Sequence, residues 1–245
     1  MKQKTQRKFA AFDIDGTLFR SGLYRQIFYE LISMKVVPTE IAEEAIRLHR
    51  QWRHRVHGSA FEEFERFMVD GVDGMLKNLR IDDYDEAVRR VLDSKADDIY
   101  VYTRNLLRTL QQQGYFTIAI SGSQHEIVEP FAGRYSFDAW IGQYYERGDE
   151  FFTGKVLKTH TGKDEILRKF INEHNLSLEG SYAVGDTNGD AGMLKLVENP
   201  IAFNPTDELY RLARQAGWKI VVERKNVIYE LESHGDTYLL ADPES

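Results

Sequence analysis

Two aspartates one residue apart, Asp13 and Asp15, close the apolar run Phe9-Ala10-Ala11-Phe12, and Gly16-Thr17 follow them. An apolar run bounded by Asp and Gly reads as a buried strand that stops at a turn. In open α/β sheets, ligands gather just beyond the carboxyl ends of strands. Paired carboxylates there cost desolvation unless a cation or a proton compensates them. One assignment has Asp13 attack a phosphoryl group, Asp15 handle a proton, and a bound Mg²⁺ offset the charge. The other is an acidic turn behind a strand, and the pentapeptide alone does not separate the two.

Three further stretches carry residue types that suit the same chemistry. Ser121-Gly122-Ser123 follows the β-rich run Phe116–Ile120. A serine past a strand offers a phosphate oxygen a hydroxyl, and Gly122 lets a backbone amide come close. Ser123-Gln124-His125-Glu126 also fits a capping box, which predicts a helix N-terminus at the same spot. Lys163, in Thr161-Gly162-Lys163-Asp164, opens another helix, where an ammonium is mildly unfavourable with the helix dipole. There it could neutralise a phosphate and the nucleophilic carboxylate together, with Lys155 and Lys158 as nearby competitors. Gly185-Asp186-Thr187-Asn188-Gly189-Asp190 follows the β-rich run Ser181-Tyr182-Ala183-Val184. Mg²⁺ takes one or two carboxylates, waters and a substrate phosphate. Asp186 can supply a metal-ligating oxygen, and Asp190, four residues on, can orient a metal-bound water or Lys163. A calcium loop fails here, because Ala191 stands where glycine is needed and Val197 where the bidentate glutamate belongs. Each stretch alone also has an ordinary explanation: a turn, a helix cap, a solvated lysine.

The elements that must position these groups alternate in type. From Ser21 to about Asp98 the apolar residues recur at helical spacing, as in Leu23, Ile27 and Leu31. Pro38-Thr39-Glu40 reads as a new helix start, and Gly71 and Gly74 as the end or a bend of the next helix. After about Ile99, short β-rich runs alternate with helices, which predicts βαβ units and a parallel sheet. Gln143–Val156 carries the turn signals of a hairpin, and the last dozen residues read as a surface tail. The first strand then belongs to the later sheet, with a helical module inserted whose ends lie at Asp13 and Asp15.

Composition narrows the function. The chain has 245 residues, 42% hydrophobic and 29% charged, with a formal net charge of −7. An acidic protein is a poor nucleic-acid binder. The absence of cysteine excludes disulfides, thiolate metal sites and a cysteine nucleophile. No run reaches the length of a membrane span, and the basic N-terminus lacks a following apolar segment. The expected location is cytoplasmic. The only basic cluster, Arg47–His57, turns around a helix, so most of it faces water.

In this order, each at a strand end or helix start, Asp13-Ile14-Asp15-Gly16-Thr17, Ser121, Lys163 and Asp186 with Asp190 resemble the motifs of the haloacid-dehalogenase-like superfamily. The closest likeness is to its phosphoserine-phosphatase-like branch. The resemblance implies a three-layer α/β Rossmann-like core with a mostly parallel sheet, spanning residues 1–19 and 99–245. It also implies an inserted all-helical cap domain over residues 20–98. It implies a phosphatase acting on a small phosphorylated metabolite, with Asp13 as nucleophile and Asp15 as acid and base. Mg²⁺ would be held by Asp13, the backbone carbonyl of Asp15 and Asp186. Ser121, the Gly122 amide and Lys163 would bind the phosphoryl oxygens. Phosphoserine phosphatases are expected to carry an acid early in the cap to read the substrate amino group. Here residues 19–25 hold none, and Arg20 and Arg25 point instead to an anionic or polar substrate body. A phosphotransferase and a non-catalytic binder of phosphorylated ligands are the competing expectations.

Overall fold

In the computed structural model, which describes residues 6–157, 162–235 and 237–241, the first apolar run is strand β1 (Arg7–Phe12), its last four side chains buried. Burial on both faces is what a central parallel strand requires. A helical segment follows: α1 (Leu23–Ser33), α2 (Thr39–Arg53), α3 (Ala60–Met75), a 3-10 turn at Leu76–Asn78, and α4 (Ile81–Lys95). The chain then runs through α5 (Val101–Gln112), β2 (Phe116–Gln124), α6 (His125–Arg134), β3 (Ala139–Arg147) and β4 (Phe152–Leu157). Next come α7 (Lys163–Glu173), β5 (Leu176–Gly185), the short α8 (Ala191–Leu194) and β6 (Asn199–Phe203). Helix α9 (Asp207–Ala216) and strands β7 (Lys219–Arg224), β8 (Val227–His234) and β9 (Thr237–Leu240) complete the described chain.

The strands form one sheet in the order β4-β3-β2-β1-β5-β6-β7-β8-β9. From β3 to β7 every pairing is parallel, while β4, β8 and β9 add antiparallel edges. Phe12 pairs with Ala119 of β2 on one side and Val184 of β5 on the other. β5 ends one residue beyond this level, at Gly185, while β2 runs on to Gln124. Alternate residues of β1 feed opposite faces. Ala10 and Phe12 join one apolar cluster, and Phe9 and Ala11 join another with Leu167 and Ala213. A sheet covered on both faces by helices is the expected three-layer α/β core.

Helices α1–α4 are inserted between β1 and β2, as the sequence predicts. Entry and exit run side by side: Phe19 bridges Ile99, Arg20 N–H donates to Asp98 O at 2.8 Å, and Tyr100 N–H donates to Leu18 O at 3.0 Å. The apolar cluster on this face runs without a break from Phe12 and Phe131 into Leu23, Phe64 and Tyr84 of the insertion. A second attachment comes from the β3–β4 hairpin. Ile81 N–H donates to Glu150 O at 2.9 Å, and the Arg147 guanidinium grips Asp85 of α4 at 2.9 and 2.7 Å.

Helix α3 runs through Gly71, where Phe28 of α1 packs alongside and tertiary contact offsets glycine's poor helix propensity, and ends at Met75, one residue past Gly74. One expectation is corrected. The C-terminal residues are not all a tail: β9 pairs antiparallel with β8, from His234↔Thr237 to Leu231↔Leu240. Thr161 and Lys158 lie outside the described residues.

Candidate active site

Asp13 sits one residue past β1, its N–H bonded to Val184 O at 3.0 Å, and Asp186 sits one residue past β5. The pairing of these two strands puts both carboxylates at one strand-end crevice. Gly16 turns the chain between them with φ +86°, and a Cβ there would collide with the Asp186 carboxylate. Glycine is required at this point by both conformation and space. Buried Thr17 donates its hydroxyl to Asp186 Oδ1 at 3.3 Å.

Lys163 is the first residue of α7, and its ammonium reaches Asp13 Oδ1 and Asp190 Oδ1, each at 2.5 Å. Asp190 is fully buried. Its other oxygen accepts from Asp186 N–H at 3.0 Å, Thr187 N–H at 2.9 Å and the Thr187 hydroxyl at 3.2 Å. Its two oxygens thus tie Lys163 to the Asp186–Thr187 backbone, so Asp190 orients Lys163 and its own loop. Of the alternatives the sequence left to Asp190, this structure realises the contact with Lys163.

Asp13, Asp186 and Asp190 offer oxygens within 4.8 Å of one another, and Asp13 Oδ2 is buried without a hydrogen-bond partner. Burial first of all, with Asp190 and Asp15 adding to it against Lys163, pushes Asp13 up to about 7. Burial, then the neighbouring Asp13 and Asp190, push Asp186 up to about 9. Burial alone would pull Lys163 down, but Asp13 and Asp190 outweigh it and hold the ammonium protonated. One lysine cannot neutralise this many acids. An all-oxygen donor set with an orphaned carboxylate oxygen fits a hard divalent cation.

Asp15 is held by three donors. Ser121 Oγ donates to its Oδ2 at 2.5 Å, while Ser123 Oγ at 2.8 Å and Leu23 N–H at 2.5 Å reach its Oδ1. The predicted capping box at Ser123 is not formed. Gln124 is the N-cap of α6, with no side-chain capping bond, and the Ser123 hydroxyl is spent on Asp15. At Gly122 a Cβ would meet nothing within 4 Å, so the space beside its backbone is open to the site.

A cavity of about 440 Å³ opens over these groups, and the insertion contributes Tyr24, Glu65 and Asp70 to its lining, the β2–β3 region Gln124, Gln143 and Tyr145. Residues 19–25 hold no acid, but Glu65 brings one to the cavity wall. It comes from α3, some forty residues further along the chain, and nothing local in the sequence marks it. Its carboxylate takes the Tyr24 hydroxyl and lies 2.8 Å from the Arg25 guanidinium. Arg25 is buried, stacked over Trp52 at 5.6 Å, and its charge is spent on Glu65. Arg20, expected as a substrate contact, is exposed, lies over Tyr100 at 5.5 Å, and lines a separate surface hollow with Lys95 and Asp98. His125 stacks on Tyr144 at 4.2 Å, and no residue of the Arg47–His57 cluster lines the cavity.

Carboxylates past two adjacent parallel strands, bridged by a lysine from a third element, are the arrangement of one hydrolase class. Residues 10–195 match the model of the haloacid dehalogenase-like hydrolases, and the chain belongs to that family. The matched span holds every residue from Asp13 to Asp190 discussed above. Among individual proteins, the chain is 31% identical over 140 residues to phosphoserine phosphatase SerB1 of Mycobacterium tuberculosis, covering 56% of this chain and 43% of that one. It is 30% identical over 125 residues to the histidinol-phosphatase of Neisseria meningitidis, covering 48% and 56%. The chain thus spans about half the length of such relatives. In three dimensions it superposes on a phospho-aspartyl intermediate analogue of phosphoserine phosphatase with TM-score 0.62 and 23% identity, over 90% of this chain and 95% of the other. A Bordetella pertussis protein of unknown function gives TM-score 0.67 at 20% identity, over 88% and 98%. At these identities the superpositions define a shared fold. No helix among the described residues is long and apolar enough to cross a membrane.

Proposed function

We propose that the protein is a Mg²⁺-dependent phosphatase that hydrolyses the phosphate ester of a small alcohol through an aspartyl-phosphate on Asp13. Residues 20–98 act as the cap over a core made of residues 1–19 and 99–245. The observation that carries this reading is the convergence of Asp13, Asp15, Ser121, Lys163 and Asp186 at one crevice, with Lys163 shared between Asp13 and Asp190.

Asp13, the backbone carbonyl of Asp15 and Asp186 would hold Mg²⁺, which when bound supplies the positive charge that lets a carboxylate approach a phosphate. Ser121 Oγ, the Gly122 amide and the Lys163 ammonium hold phosphoryl oxygens and stabilise their developing charge. Asp13 forms a bond to phosphorus as the bond to the leaving oxygen breaks, and Asp15 delivers its proton to that oxygen. Asp15, now ionised, takes a proton from a water whose oxygen attacks the same phosphorus. Inorganic phosphate departs, Asp13 returns as carboxylate, and Asp15 is protonated again. Covalent capture divides one hard displacement into two easier ones.

The cavity size supports a small ester. Phosphoserine and histidinol phosphate, the esters named for two relatives, both carry an amino group, for which the cavity wall offers the carboxylate of Asp70 and that of Glu65, which an amine would share with Arg25. The place of Arg20 in a separate hollow and the pairing of Arg25 with Glu65 support an amine-bearing rather than an anionic substrate body. The test is turnover of p-nitrophenyl phosphate with and without Mg²⁺, and its loss in Asp13→Asn. An Asp13→Asn variant as active as the parent would refute the nucleophile.

A further inference from the structure

Ser123 is fully buried and does not line the cavity over Asp13. Its hydroxyl nonetheless joins two parts of the molecule. It donates to Asp15 Oδ1 at 2.8 Å and accepts the N–H of Tyr24, in the first turn of α1, at 3.0 Å. The N–H of Leu23 meets the same Asp15 oxygen at 2.5 Å. Asp15 Oδ1 is therefore fixed to the start of the helical insertion through one hydroxyl and one amide.

Asp15 Oδ2 is held differently. Its donor is Ser121 Oγ at 2.5 Å, and the same Ser121 oxygen accepts Ser123 N–H at 2.9 Å. A serine hydroxyl has one proton to donate. When a phosphoryl oxygen claims the proton of Ser121, Asp15 Oδ2 loses its partner. Ser123 faces no such competing claim, because it is sealed from the cavity. The two oxygens of one carboxylate thus have different fates: Oδ1 stays anchored and Oδ2 is released when substrate arrives.

We propose that Ser123 is a positioning residue that clamps Asp15 Oδ1 against the first turn of α1. Oδ2 is then the oxygen that serves the leaving group once Ser121 turns to the phosphate. The inference rests on the phosphatase reading with Asp15 as acid. Proton delivery then depends on the insertion being seated, because Tyr24 N–H and Leu23 N–H complete the clamp. Removing the Ser123 hydroxyl leaves Asp15 Oδ1 with the Leu23 N–H alone, so the carboxylate is less firmly oriented. The loss falls on the step that needs a proton, and it scales with the basicity of the leaving oxygen. An alkoxide needs nearly full protonation as it departs, whereas p-nitrophenolate needs little.

The experiment measures kcat/KM with Mg²⁺ for wild type, Ser123→Ala and Ser123→Thr of the full chain. The substrates are aryl phosphates graded in phenol acidity, together with O-phosphoethanolamine as an alkyl ester. This parameter reports the steps up to departure of the alcohol. A positioned general acid contributes about 10²–10⁴-fold, so Ser123→Ala should lose roughly tenfold more on the alkyl ester than on p-nitrophenyl phosphate. Ser123→Thr should recover most of that difference. An equal loss across the series, or none, overturns the proposal, since a packing role would not distinguish leaving groups. If melting curves show that Ser123→Ala does not fold, Ser123→Cys keeps the volume with a weak donor and must give the same slope. Wild-type protein inert toward every ester would instead remove the phosphatase reading itself, and this proposal with it.

Discussion

Lys163 places its ammonium 2.5 Å from Asp13 Oδ1, across 150 residues of chain. Asp190 takes the same ammonium from another side at the same distance. One half-buried cation serves two buried carboxylates. Asp186 receives only the Thr17 hydroxyl as a side-chain partner among the described residues. The charge imbalance this creates underlies the first three expectations.

Lys163→Ala leaves Asp13 and Asp190 buried without their cation. Losing one preorganised electrostatic group costs about 10²–10³ in kcat, and breaking a buried pair costs about 3–5 kcal/mol of stability. Both losses should appear, the first in p-nitrophenyl phosphate turnover and the second in urea denaturation. Wild-type rates in this variant would take Lys163 out of the site.

Asp13→Asn should separate stability from activity. Turnover should vanish, because the nucleophile is gone. Burial disfavours the ionised carboxylate, so the neutral amide should raise the melting temperature at pH 8 in a chelator. A lower melting temperature there would mean that the pair with Lys163 outweighs desolvation.

The raised positions of Asp13, about 7, and Asp186, about 9, link stability to pH. Unfolded, both groups titrate near ~3.9. Between that value and the folded ones, the folded chain binds more protons than the unfolded chain, so stability falls as pH rises. The contribution is fully present below about 4 and is lost as pH rises through about 7 for Asp13 and about 9 for Asp186. A divalent cation competes with those protons. Mg²⁺ should therefore raise the melting temperature more at pH 8 than at pH 6, each compared with the chelated protein. Equal gains at both would argue that the cation binds elsewhere.

Glu65 and Arg20 should behave oppositely. Glu65→Gln keeps the shape but removes the charge facing Arg25 and the cavity, and it should raise KM for amine-bearing phosphate esters relative to neutral ones. Arg20→Ala, at an exposed position outside the cavity, should change kcat/KM by less than about twofold, as most surface substitutions do. A large loss from Arg20→Ala would restore it as a substrate contact.

Much of the site was legible because its parts are local. Asp13, Asp15, Ser121 and Asp186 each end an apolar run, and Lys163 opens a helical one, so strand ends and helix starts could be recognised in short windows. Glu65 and Ser123 illustrate what could not be read. Glu65 sits mid-helix in α3, among other glutamates that face water, and only the fold-back of α3 onto α1 brings it to Tyr24 and Arg25. Ser123 matched a capping pattern, and its actual partner, Asp15, lies 108 residues away.

By itself, the chain determines where the strands that carry Asp13 and Asp186 end, the helical nature of the insertion and the acids and lysine available for chemistry, whereas β2 runs on past the expected Ile120 to Gln124. Hydrophobic periodicity and turn residues act within a few positions, so those features need no long-range information. Only the tertiary structure decides which donor each carboxylate receives, that Arg25 is consumed by Glu65, and that Arg20 stands outside the cavity. These pairings depend on the order in which β2, β1 and β5 lie side by side and on how the insertion folds over them. A buried charge or hydroxyl takes whatever partner that packing brings within reach.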